Sequence, residues 1–300
     1  MADLIIIAVC IAGLIFGSVT DIRKREVPDW VSFGLIFAGI GLNLLLTIIK
    51  GNLSYIINSI AGLLLMYLFA LLMYYTGQWG GGDSKVLMGI GALAGFEISF
   101  PLTEMFSSWL INPYYSFPFL VYFIIFTMFF GSVYGLIWSL VSAVKKYKDF
   151  KKEFLSRLKS PMAVKIKFAL IAALGFILFF AFITKDIVLR FFFLAIGLLI
   201  ALSFYLLIYI KTVEKVCMVK KIMPNNLTEG DWIAEEVKTR GRVIAGPKDL
   251  GIEKEQIEKL ISLKEKGKIK YVLVKEGIPF VPSFLIGFIA ALIHLFYFTL

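Results

Sequence analysis

Two short segments carry acids in settings suited to chemistry. Asp21 closes an apolar run in Thr20-Asp21-Ile22-Arg23-Lys24-Arg25-Glu26-Val27-Pro28-Asp29. Asp83 follows three glycines in Gly77-Gln78-Trp79-Gly80-Gly81-Gly82-Asp83-Ser84-Lys85. Gly80, Gly81 and Gly82 have no side-chain bulk and little helix preference, so another polypeptide backbone can come close to the Asp83 carboxylate. Two carboxyl groups sharing a site do not ionise together easily, and the pair holds one proton. The ionised member can then activate water while the protonated member donates to a carbonyl oxygen. Each acid also has a plainer reading. Asp21 is then a juxtamembrane acid beside a basic anchor, and Asp83 caps the helix that follows. Capping and catalysis are compatible.

An Asp–Asp pair needs neither metal nor imidazole, and other chemistries find little material. The one histidine, His294, lies deep in the last apolar run, which leaves no ready general base of that type. The two cysteines, Cys10 and Cys217, are too few for a disulfide framework or a four-cysteine zinc site. No cofactor and no metal are expected.

The elements that must position the acids follow from composition. Of the 300 residues, 59% are hydrophobic and 16% aromatic. Ordinary soluble domains sit near ~45–50% apolar, so lipid is the natural solvent for the excess. The sequence predicts an α-helical polytopic membrane protein with about eight transmembrane helices and a small cytosolic α+β domain. Each span needs about 20 apolar residues. Spans are expected near 3–20, 30–49, 55–76, 84–100, 117–144, 166–184 and 187–210, forming a transmembrane catalytic domain over 1–210, with a final helix over 281–300. The fourth is short, its apolar part running from Val86 to Phe100, which suits a tilted or partly re-entrant segment. The first run, Leu4 to Val19, is preceded by Asp3 and followed by Arg23, Lys24 and Arg25, the reverse of a secretory signal, and reads as a retained span.

Placing the N-terminus outside puts 28 of the 31 lysines and arginines in inside segments and leaves Lys50, Lys185 and Arg190 outside. That asymmetry follows the positive-inside rule. The formal charge of +10 is therefore read as a topology signal, and no nucleic-acid partner is expected. In a further alternative, a non-catalytic scaffold or assembly factor, the basic loop 145–167 binds anionic lipid. Residues 211–280 form the cytosolic module, with strands expected over Val216–Met223, Tyr271–Val274 and Gly241–Ala245 and a helix over 252–266 carrying Ile257, Leu260, Ile261 and Lys264 on one stripe. The pairs Gly13/Gly17, Gly91/Gly95 and Gly131/Gly135 are spaced for close helix approach in lipid.

Acids beside spans include Asp29, Glu97, Glu104, Asp149 and Asp186, but Asp21 and Asp83 stand apart by topology. Asp21 ends the first span travelling inward and Asp83 begins the fourth travelling outward. Both belong at the cytosolic boundary of the plasma membrane. A transporter or channel with these acids in a cation path is the alternative. It calls for acids spread through the bilayer midplane, where this sequence instead has Asn43, Asn58, serines and threonines.

Gly80-Gly81-Gly82-Asp83 is a GxGD motif, continued by Ser84-Lys85, and together with the Thr20–Asp29 segment it resembles the type IV prepilin peptidases and archaeal preflagellin (prearchaellin) peptidases. The resemblance covers roughly residues 1–145. It implies a membrane aspartic endopeptidase in which Asp21 and Asp83 are the catalytic dyad, with Gly80, Gly81, Gly82 and Lys85 as supporting motif positions. By the same resemblance, the substrates are pilin-like or flagellin-like precursors with basic leader peptides, cut on the cytosolic side. Inside acids such as Glu26 and Asp29 are then candidates to receive the basic leader. The chain lacks the paired Cys-x-x-Cys elements of bacterial members that also methylate their products, so peptidase activity alone is expected.

Overall fold

The structure, a computed structural model, describes residues 2–95, 118–239, 242–247, 249 and 251–298. In chain order these form α1 (Ala2–Lys24), α2 (Asp29–Lys50), α3 (Ser54–Tyr75), α4 (Gly81–Ala94), α5 (Phe119–Lys145), α6 (Tyr147–Leu158), α7 (Pro161–Ile183) and α8 (Ile187–Cys217). There follow β1 (Val219–Ile222), β2 (Trp232–Ile233), β3 (Val237–Thr239), β4 (Arg242–Ala245), α9 (Lys254–Glu265), β5 (Val272–Lys275) and α10 (Val281–Phe298). Among the described residues, α1, α2, α3, α5, α7 and α8 are the six helices long and apolar enough to cross a membrane. The expected fourth and last spans are shorter helices, α4 with 14 residues and α10 with 18. The end of the expected fourth span, with Glu97 and Glu104, lies outside the described residues. The chain is a multi-pass membrane protein with a strand-containing C-terminal region.

The described residues form two compact units, one of Met1–Ile137, Met223–Val272 and Glu276–Leu300, the other of Trp138–Ile222 and Leu273–Lys275. At the centre of the first unit is α4. At ~1.5 Å per residue it is only about 21 Å long, and its neighbours supply what its length does not. Val86, Leu87, Ile90, Ala92 and Leu93 are almost wholly buried against α2 and α3. Its last carbonyls receive side chains from both partners: Asn43 Nδ2 donates to Ala92 and Leu93 at 3.3 Å each, and Ser59 Oγ donates to Ala92 at 2.6 Å. The polar residues inside the spans thus satisfy the end of a helix that stops within an apolar layer, where an unpaired carbonyl is costly.

Glycine sets these close approaches. A side chain at Gly39 would run into the backbone of Ala92 and Leu93, and one at Gly62 into Gly91 and Gly95. Of the sequence pairs, Gly13 lies under Leu35, Gly17 faces Val281, Gly91 meets Gly62, Gly95 meets Asn58 and Gly131 lies under the Phe280 ring, while Gly135 has open space around it. The turn between α1 and α2 is set by Arg25, whose φ of 62° ends α1, and by Pro28 immediately before α2.

The C-terminal region has the expected kinds of element with shifted edges. Helix α8 runs on to Cys217, so the strand expected from Val216 begins only at Val219. Strand β4 covers 242–245 of the segment predicted from Gly241, which itself lies outside the described residues, and pairs antiparallel with β3. The expected helix is α9, which packs on the turn at Pro224–Asn226 and on β4, and its Leu260 is fully buried. In the second unit, α7 and α8 form a hairpin. Asp186, one of the span-end acids, accepts from the N–H groups of Val188 and Leu189 as the cap of α8.

Candidate active site

Asp21 lies one turn before the end of α1, and only 5% of it is exposed. Its carboxylate faces the start of α10, where Val281 N–H donates to Oδ2 at 3.0 Å. Arg25, just past the end of α1, places its charge beside the same carboxylate. Its Nη1 donates to the Gly277 carbonyl at 2.9 Å. Tyr134 on α5 lies within electrostatic reach of both Asp21 and Arg25.

Asp83 occupies the third position of α4. Its Oδ2 accepts from Gly80 N–H at 3.2 Å, half of a capping box, since glycine has no side chain to return the bond. The capping reading of Asp83 therefore describes its contact correctly. It also leaves the second carboxylate oxygen unengaged by any protein donor among the described residues. The glycine loop rests against the α1–α2 turn, with Gly82 next to the Val27 backbone. Helices α1 and α4 pack together, and the Asp21 carboxylate acts electrostatically on Asp83. No hydrogen bond joins the two acids among the described residues, and the other groups within their electrostatic reach there are Arg25 and Tyr134.

Before the glycines, Trp79 is 4% exposed and packs its ring against Phe69, Phe280 and Phe284 at centroid distances of 5.7, 5.2 and 5.1 Å. Gly77, at φ 69°, sits under the Trp232 ring. Gly80 and Gly81 meet no crowding that would exclude a larger residue, and neither has a positive φ.

Lys85 does not reach toward Asp83. Its Nζ donates to Asp29 Oδ1 at 2.6 Å and lies 5.1 Å from the centre of the Phe33 ring, tying the start of α4 to the start of α2. Asp29, considered above for a basic leader, thus already holds a cation, and Glu26 accepts from Thr228 Oγ1 at 3.3 Å. Reasoning from the sequence did not foresee Val281, Phe280 or Tyr134 at the site. The signal for the first two was present as Pro279 and Pro282 around Val281, the kind of proline-marked stretch that starts a helix. No group of three or more potential metal ligands occurs among the described residues.

Residues 8–140 match the type IV leader peptidase family. The chain is 35% identical over 122 residues to the preflagellin peptidase of Methanococcus voltae, covering 39% of this chain and 49% of the relative. It is 33% identical over 147 residues to that of Methanocaldococcus jannaschii, covering 48% and 60%, and 38% identical over 81 residues to that of Methanococcus maripaludis, covering 27% and 35%. The matches thus span between about a third and three-fifths of these relatives' lengths. No solved structure matches the chain. The resemblance visible in the two aspartate segments is therefore a match to the type IV leader peptidase family, and it covers the part of the chain that holds both acids.

Proposed function

We propose that this protein is a membrane aspartic endopeptidase that removes leader peptides from flagellin-like or pilin-like precursors, using Asp21 and Asp83 as its catalytic pair. The observation that carries the reading is the meeting of the α1–α2 turn with the glycine loop, which brings two chain-distant carboxylates within electrostatic reach of each other at one end of the α1–α4 pair. The match to the type IV leader peptidase family and the similarity to preflagellin peptidases agree with it.

In this mechanism the pair carries one proton. The ionised carboxylate takes a proton from water as the oxygen attacks the scissile carbonyl, and the protonated partner donates to the carbonyl oxygen. Collapse of the tetrahedral intermediate releases the leader's new carboxyl end and the mature subunit's new amine, which takes up a proton from the pair. The open glycine loop admits the substrate backbone beside Asp83. The N-terminus lies outside and the site opens at the cytosolic face, where a basic leader ahead of a hydrophobic segment would be presented.

Purified protein in detergent tests this. It is expected to cleave a flagellin-type precursor once, ahead of its hydrophobic segment, and Asp21→Asn and Asp83→Asn are each expected to abolish cleavage while the protein stays folded. Absence of cleavage of any leader-bearing precursor, with the protein folded, would contradict the assignment.

A further inference from the structure

Val281, the first residue of α10, lies far outside the family-matched segment 8–140, yet its N–H donates to the Asp21 side chain at 3.0 Å, with the Phe280 backbone N–H beside it also acting on that carboxylate. Both groups are out of solvent, Asp21 at 5% exposure and Val281 at 0%. The approach is held from four sides. Arg25 fixes the Gly277 carbonyl at 2.9 Å, four residues before Val281. Phe280 packs at a tilt against Trp79 of the glycine loop and fills the space that the missing side chain of Gly131 leaves on α5. Gly17 of α1 brings the Val281 side chain to contact. Pro282 suits the first turn of α10 and has no N–H, and Ser283 N–H donates to the Phe280 carbonyl at 2.9 Å, so Val281 supplies the N–H that the first turn of α10 gives to Asp21.

We propose that the Val281 backbone N–H positions Asp21 for catalysis, making the start of α10 a working part of the active site. This rests on the peptidase reading above. A carboxylate is free to turn about its last bond, and a water molecule is activated only by an oxygen held toward it. Val281 engages Oδ2, which restrains that rotation and so sets the direction in which Oδ1 points. The positive end of α10 also faces the carboxylate. The charged and titratable groups around Asp21 are Arg25 just past the end of α1, Asp83 on α4 and Tyr134 on α5.

The test uses the full-length protein in detergent with a flagellin-type precursor. Val281→Ala keeps the N–H, Val281→Pro removes it at a helix position that tolerates proline, and a backbone ester at position 281 replaces only the N–H by oxygen. A hydrogen bond to a charged group corresponds to a change of about tenfold to a hundredfold. Val281→Pro and the ester are expected to lower kcat by about that factor with KM little changed, and Val281→Ala, which keeps the N–H, is expected to lower kcat by less than either. A purely structural contact would instead lower thermal stability and leave the kcat of the folded fraction intact. If Val281→Pro fails to fold, the ester decides. An ester variant with wild-type kcat overturns the inference while leaving the peptidase reading standing, provided that Asp21→Asn is inactive. Should Asp21→Asn itself retain turnover, the peptidase reading and this inference fall together.

Discussion

Lys85, two residues after Asp83, spends its charge on Asp29 at 2.6 Å rather than on the acid beside it. The pair links the first turn of α4 to the first turn of α2, on either side of the α1–α2 turn that receives the glycine loop. Its side chains are 35% and 67% exposed, which places it among ion pairs worth at most about 1 kcal/mol. Lys85→Gln is therefore expected to lower the melting temperature slightly and to leave kcat within a few-fold of wild type. A loss of activity as deep as that of Asp83→Asn would give Lys85 a direct part in the chemistry.

Asn43 carries a larger share of stability than its neighbours in α2. Its amide donates to Ala92 and Leu93 and also to Gly39 at 2.9 Å, all buried. Asn43→Leu keeps the bulk and leaves the end of α4 short of donors, at a cost of about 1–3 kcal/mol. Thermal melting in detergent should show the loss, and an unchanged melting temperature would mean that water or Ser59 alone suffices.

Glycine substitutions should separate packing from mere flexibility. Gly62→Val forces α3 away from the Gly91 and Gly95 backbone and is expected to prevent accumulation of folded protein, whereas Gly135→Ala meets open space and is expected to be silent. The yield of monodisperse protein measures both. Equal yields would refute the close α3–α4 contact.

The approach of α1 to α4 has a direct geometric check. With Cys10→Ala and Cys217→Ser removing the native thiols, cysteines at positions 21 and 83 are expected to be joined by a short bifunctional thiol reagent. Persistent failure to join them, while a pair at 27 and 82 reacts, would place the two acids in separate sites.

Much of this was legible in the sequence because lipid imposes simple rules. Apolar runs of spanning length became α1, α2, α3, α5, α7 and α8, and the two acid-bearing segments were visible from glycine, proline and charge alone. Other features depended on partners distant in the chain. The shortness of α4 was readable, but that Asn43 and Ser59 would complete its end was not, since a lone polar residue in a span does not announce which carbonyl it serves. Lys85 was placed at the right motif yet its partner, Asp29, lies 56 residues away. Val281 was missed for the same reason: a backbone N–H has no sequence signature, and only the packing of α10 on α1 brings it to Asp21. Helix α8 overran the expected strand because Val216 and Cys217 suit either state, and propensity over two residues does not decide.

The central claim is that Asp21 and Asp83 act as one catalytic unit. A cleavage assay on Asp21→Asn, Asp83→Asn and the double variant, each checked for folding, tests it most directly. Members of one unit are strongly non-additive, so each single variant is expected to fall to background, by at least about a thousandfold, and the double variant to fall no further. Near-native turnover in either single variant, or losses that multiply in the double variant, would contradict it.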